Sequence, residues 1–167
     1  IRRLAAKMWG RIDGKRTTEN RYGKGKVIFG KDVRSVLASR GIGPDVTFNK
    51  VGSNGSLDFI HRQTSDSDIY FIRNTKNTPL TGTCTFRVKD KTPAWWNPAT
   101  GNMIPLEHYE ITNNGITVPV SLEAYGSGFV VFSEGKSVER KNIPASLEGA
   151  VYTASGLAAK TNSVASK

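Results

Sequence analysis

One cysteine, two histidines and seven prolines in 167 residues leave little material for several kinds of chemistry. Cys84 has no partner within the chain, so no intrachain disulfide holds the fold. It alternates with Phe86 and Val88, which marks it as a small buried apolar group on a strand rather than a nucleophile. His61 and His108 are far apart, and with one thiol they offer no spacing suited to a transition-metal site. No apolar run approaches the length that crosses a bilayer. The chain opens at Ile1 without a signal-peptide pattern and reads as part of something longer. Acidic residues are also scarce, 14 against 24 lysines and arginines, for a net charge of +10. Such an excess raises nucleic acid as a partner. The basic residues are scattered, however, and densest before Arg40, with no aromatic–basic strand motif beside them. They read as a solvated face, and neither nucleic acid nor membrane is the expected partner.

What the chain does have is a sequence of short alternating segments. Hydrophobic residues make up 37% and aromatics 9%, enough for one ordinary core. From Ile1 to Ile12, Leu4, Met8 and Ile12 recur at intervals of four, one apolar helix stripe. Gly23-Lys-Gly-Lys26 is a glycine turn leading into the strand Val27–Phe29. It reads as a glycine hairpin rather than a phosphate loop, because the glycines precede the strand and no Gly-Lys-Ser/Thr follows. Asp32 caps a second helix that stops at Gly41. Residues 1–44 thus read as the closing helix–strand–helix segment of an α/β unit, too short to stand alone.

After Pro44 the period changes to two. Residues 45–134 are expected to form a mainly β domain, an antiparallel, jelly-roll-like β-sandwich. Its core set is read as Ile69, Phe71, Cys84, Phe86, Ile116, Val118, Phe129 and Val131. Gly52–Ser56 reads as a loop, Ser65–Asp68 as a polar hairpin turn and Asn113-Asn-Gly115 as a second hairpin. Pro119 cannot donate to a ladder, so its strand belongs at an edge or bulge. Residues 135–167 are a weakly patterned tail.

Few residues carry chemistry. Glycoside hydrolysis needs two carboxylates flanking the bond. Asp58, Glu107, Glu110, Glu123 and Glu134 are available, and no two form a distinctive pair, so no catalytic residue is assigned. Asp66 and Asp68 read as a turn rather than a calcium site, and no metal site is assigned. The candidate substrate contacts are His61, Arg62 and Trp95. Trp95-Trp96 would be a stacking platform for a sugar ring, or a plug in the core between Pro93 and Pro98 with Trp96 buried. His61 and Arg62 point to opposite faces of one strand. His61 either shares the core face with Phe59 or, at a strand end, meets a neighbouring domain and its cleft.

Seven phrases recur in a specific order: Arg21-Tyr-Gly-Lys-Gly-Lys-Val27, Leu37 through Asp45, Leu57-Asp-Phe-Ile-His-Arg62, Asp68-Ile-Tyr-Phe-Ile-Arg-Asn74, Thr85-Phe-Arg-Val88, Trp96-Asn-Pro-Ala-Thr-Gly101 and Gly126-Ser-Gly-Phe-Val-Val-Phe132. In that order they resemble the C-terminal part of α-L-rhamnosidases of glycoside hydrolase family 106. Asn97 departs from an expected acidic residue, and nothing after Ser133 matches. The resemblance implies a large bacterial enzyme, periplasmic or secreted, acting on rhamnose-containing plant polysaccharide. It implies that catalysis, and any calcium, lies in an upstream catalytic domain of the same chain. No catalytic carboxylate carries over to these positions, and no cofactor is expected in this segment. The expected role is therefore a non-catalytic accessory β-sandwich, with carbohydrate and the catalytic domain as partners. The alternative is an independent carbohydrate-binding module.

Overall fold

The computed structural model describes residues 1–51, 56–135, 142–143, 150–153 and 156–159, and the chain divides into two units, Ile1–Gly43 and Pro44–Lys167. In the first, helix α1 (Arg2–Trp9) is followed by strands β1 (Glu19–Tyr22) and β2 (Gly25–Ile28) and helix α2 (Val33–Ala38). The glycine hairpin expected at Gly23–Lys26 is present, with Tyr22 opposite Gly25 and Gly23 at φ 57° in the turn, so the segment holds two strands where a helix–strand–helix reading counts one. Polar Glu19-Asn-Arg-Tyr22 gave no apolar alternation by which to recognise the first arm. Asp32 caps α2 by accepting from the Ser35 amide at 2.9 Å.

The second unit contains two antiparallel sheets. One has four strands in the order β3 (Val46–Lys50), β6 (Leu80–Phe86), β10 (Gly115–Leu122) and β9 (Glu110–Thr112). The other has five, in the order β4 (Leu57–Gln63), β5 (Ser67–Asn74), β11 (Ser127–Ser133), β7 (Thr92–Trp96) and β8 (Met103–Pro105). Buried residues from both sheets form one cluster, so the domain is a β-sandwich, as its alternation predicts. Rings join across the interior: Phe86 lies 4.7 Å from Tyr70 and 5.1 Å from Phe132, between centroids. Cys84 is fully buried, and burial holds its thiol well above the ordinary range. Of the tail 135–167, most lies outside the described residues. Within it, β12 (Ala150–Thr153) and β13 (Gly156–Ala159) pair antiparallel. The Gly52–Ser56 loop lies outside the described residues except for Ser56.

Half of the expected core set faces the other way. Cys84, Phe86, Ile116 and Val118 are buried in the core as expected. On β5 and β11, however, the core residues are Tyr70, Ile72, Val130 and Phe132, while Ile69, Phe71 and Phe129 are only partly buried on the outer face. Val131 shares that outer face and is nonetheless 8% exposed. Both faces of these strands are apolar, so a period of two fixes which residues share a face but not which face is inside. The Trp95-Trp96 pair inverts in the same way: Trp95 is the buried ring at 7% exposure, and Trp96 is partly buried on the outer face. There Trp96 and Phe71 each lie 5.1 Å from Phe129, inclined at 32° and 56°.

Two glycines make the close approaches possible. The indole of Trp95 covers Gly128, where any side chain would run into it. Gly115 opens β10 at φ 132°, and a Cβ there would run into the Phe86 carbonyl. Gly115→Ala is expected to destabilise the domain by about 1–3 kcal/mol, read as a lower urea midpoint with unchanged slope. An unchanged midpoint would show that the turn has other ways to close. The strand of Pro119 is not an edge, since β10 lies between β6 and β9; Pro119 itself is opposite Thr83 of β6, beyond the three residues of β10 that pair with β9.

Candidate functional site

His61 is the centre of the most highly connected polar cluster among the described residues. On β4 it lies opposite Tyr70 of β5, and the two rings stack 4.0 Å apart at 12°. Strand alternation turns His61 inward and Arg62 outward. Nδ1 lies 2.8 Å from Asp45 Oδ2, and Nε2 lies 2.9 Å from Asp68 Oδ1. Donating both contacts at once requires a hydrogen on each ring nitrogen. Lys91 Nζ donates to Asp68 Oδ2 at 2.9 Å, and Gln63 Nε2 donates to Asp68 Oδ1 at 3.1 Å. Arg87 Nη2 donates to Asp45 Oδ1 at 3.2 Å, and the Tyr70 hydroxyl does so at 3.4 Å.

The electrostatics follow from this packing. Burial alone would push the Asp68 carboxyl up. Hydrogen bonds from Lys91 and His61, with their charge attraction, outweigh it and hold Asp68 below the ordinary carboxylate range. Burial, with Asp45 and Asp68 nearby, pushes the Tyr70 hydroxyl well above its ordinary value. The chain of contacts Lys91–Asp68–His61–Asp45–Arg87 ties β4, β5 and the segments flanking β3 and following β6 together.

The three expected substrate contacts are not brought together. His61 has both ring nitrogens occupied by carboxylates. Trp95 lies over Gly128 in the interior, so its ring offers no open face for stacking. Arg62 is exposed on the outer face of β4, with no hydrogen-bond partner among the described residues. Asp58 faces outward and pairs with Arg73 at 3.1 Å, while Glu110 and Glu134 are exposed at separate places. Asp66 and Asp68 part company: Asp66 accepts from the Thr64 hydroxyl in the turn, and Asp68 turns inward. Among the described residues no three His, Cys, Asp or Glu side chains are placed to hold a metal ion, and no helix is long and apolar enough to cross a membrane. Sequence reasoning missed Asp45, Lys91 and Arg87 as partners of this cluster. Nothing in their spacing links them, since the pairs lie 16, 23 and 42 residues apart.

Fold and cluster together define a β-sandwich in which Asp68, the most buried carboxyl among the described residues, is paired with Lys91 and His61. A family model described as alpha-L-rhamnosidase matches residues 1–111, and the chain belongs to that family, glycoside hydrolase family 106. A solved rhamnosidase from Novosphingobium sp. PP1Y superposes with a TM-score of 0.70 at 29% identity, over 87% of this chain and 13% of that one. A curated relative from Formosa agariphila, named as a beta-glucuronidase, is 29% identical over 137 residues, which is 80% of this chain and 11% of the relative. The chain thus spans only about an eighth or less of the proteins it resembles.

Proposed function

We propose that this chain is a non-catalytic accessory β-sandwich region of a large bacterial glycoside hydrolase, an α-L-rhamnosidase acting on rhamnose-containing plant polysaccharide in the periplasm or outside the cell. In this reading hydrolysis is carried out by an upstream catalytic domain, and the sandwich packs against it. One observation carries the non-catalytic part. A glycosidase acid needs a carboxyl whose pKa is raised, with a second carboxylate across the sugar. Asp68, the most buried carboxyl among the described residues, is shifted downward by Lys91 and His61, and Asp45 is tied to Arg87 and His61. These carboxylates are paired with cations and neighbouring side chains rather than poised across a sugar. The resemblance implies that any calcium belongs to the catalytic domain.

Of the expected substrate contacts, Arg62 is the best placed. An exposed guanidinium can hold two sugar hydroxyls or a uronate carboxylate with its planar fork. In the parent enzyme Arg62→Ala is expected to lower kcat/KM with little loss of melting temperature. Unchanged kinetics would remove Arg62 from the site.

The alternative reading, an independent carbohydrate-binding module, would use the outer-face rings Phe71, Phe129 and Trp96. A sugar platform needs open, coplanar rings. These are partly buried and inclined to one another by 32° and 56°, which favours packing over binding. Titration of the purified chain with rhamnose-containing polysaccharide in a calorimeter is expected to give no binding heat. Saturable binding lost in Trp96→Ala would establish the module instead.

A further inference from the structure

The unit Ile1–Gly43 has secondary structure but no interior. None of its residues is buried. Leu4 is 52% exposed, Met8 40%, Trp9 46%, Phe29 47%, Val33 71% and Leu37 40%. Leu4 and Met8 lie one turn apart along α1, and Val33 and Leu37 one turn apart along α2. Trp9 meets Phe29 edge-on at 5.8 Å, joining the end of α1 to the end of the hairpin.

Helices of eight and six residues and a lone two-stranded hairpin are marginal or worse in water without tertiary packing. Yet the local wiring is specific. Asn20 donates to the Met8 carbonyl at 2.8 Å and closes the end of α1. Asp13 accepts from the amides of Lys15, Arg16 and Thr17, each at 2.9 Å. Glu19 takes Lys26 and Lys31, which hold its carboxyl down to about 2. The segment therefore encodes one definite shape, while the apolar burial that must offset its ordering entropy is missing from within it.

We infer that Ile1–Gly43 is one half of an interdomain core. The α1 and α2 stripes and the Trp9–Phe29 pair dock on an apolar surface contributed by the rest of the same longer polypeptide. The inference rests on the reading of this chain as part of a large glycoside hydrolase. The matched rhamnosidase structure supports that premise, since this chain covers 13% of it. Arg2, Arg3 and Lys7 of α1, with Arg11 just after it, are exposed and make no ion pair among the described residues, so they stay at the solvated rim of the docking contact.

Hydrogen exchange on two proteins tests this: the present chain alone, and the longer polypeptide that contains it. In the chain alone, amides of α1 and α2 are expected to exchange within about tenfold of unfolded rates, while β5, β6, β10 and β11 are protected. In the longer protein α1 and α2 are expected to slow by about 100-fold or more. Leu4→Asp with Leu37→Asp should return them to fast exchange and leave the sandwich protected. Equal protection in both proteins would overturn the inference. Sedimentation of the chain alone would then show whether a second copy or the chain itself covers the face. Fast exchange in both proteins would overturn it as well. Hydrolysis by the chain alone would remove the accessory reading without altering this exchange pattern, so the two failures are distinguishable.

Discussion

Asp68→Ala is expected to cost the sandwich about 3–5 kcal/mol, the usual penalty for breaking a buried ion pair from one side. The Asp68 side chain is 7% exposed and that of Lys91 13%. Removing the carboxylate strands the ammonium in a poorly hydrated place and also leaves His61 Nε2 and the Gln63 amide without their acceptor. The remaining pair cannot substitute, because Asp45 reaches the other ring nitrogen. Urea denaturation of the chain measures the loss directly. Removing both charges with Asp68→Leu and Lys91→Met should recover a large part of it, since a buried pair is worth little against an apolar replacement of similar shape. A loss below about 1 kcal/mol for Asp68→Ala would mean that water reaches this cluster freely. The pH dependence has a definite sign. The folded-state pKa of Asp68 lies below its unfolded value. Its contribution is therefore fully present above about pH 4, the unfolded range for Asp, and is lost as pH falls through the folded pKa. Asp68→Asn should flatten that acid limb.

Phe86→Ala is expected to be as costly, about 3–5 kcal/mol, for a different reason. Phe86 is fully buried on β6 and is the ring that spans the two sheets, touching Tyr70 on β5 and Phe132 on β11. Its loss opens a cavity where neither sheet can collapse without breaking its ladder. Phe71→Ala is the informative comparison. Phe71 has the same chemistry and also lies on a strand with apolar neighbours, but it is partly buried on the outer face against Phe129. It should cost clearly less than Phe86→Ala. Equal losses would contradict the assignment of inner and outer faces.

These two residues also show how far the sequence could be read. The turns were legible because their chemistry is local: Gly23 and Gly115 adopt positive φ, and Asp32 caps its own helix. The sandwich was legible because β6 and β10 alternate and because turn residues set off the short apolar runs of β5 and β11. Which face of β5 and β11 points inward was not, because Ile69 and Phe71 are as apolar as Tyr70 and Ile72. One signal did lie in the sequence. Gly128 shares a face with Val130 and Phe132, and a glycine in an apolar strand marks a close approach, here the indole of Trp95. The polar cluster was half visible. His61 stood out as a polar residue in an apolar segment, but its partners come from Asp45, Asp68 and, through them, Arg87 and Lys91, which meet only in the folded sheet. Asp68 in particular looked like a turn residue because it follows Ser65-Asp-Ser67, whereas Tyr70, two residues on, already belongs to the core face.

The claim that this region supports hydrolysis without performing it is tested most directly by release of the aglycone from an aryl α-L-rhamnoside. The assay uses the purified chain and the longer polypeptide that contains it, side by side. The expected result is turnover by the longer protein and release indistinguishable from buffer by the chain alone, with the sandwich folded by near-ultraviolet circular dichroism. Turnover by the chain alone, abolished by an Asp→Asn or Glu→Gln change within it, would contradict the account.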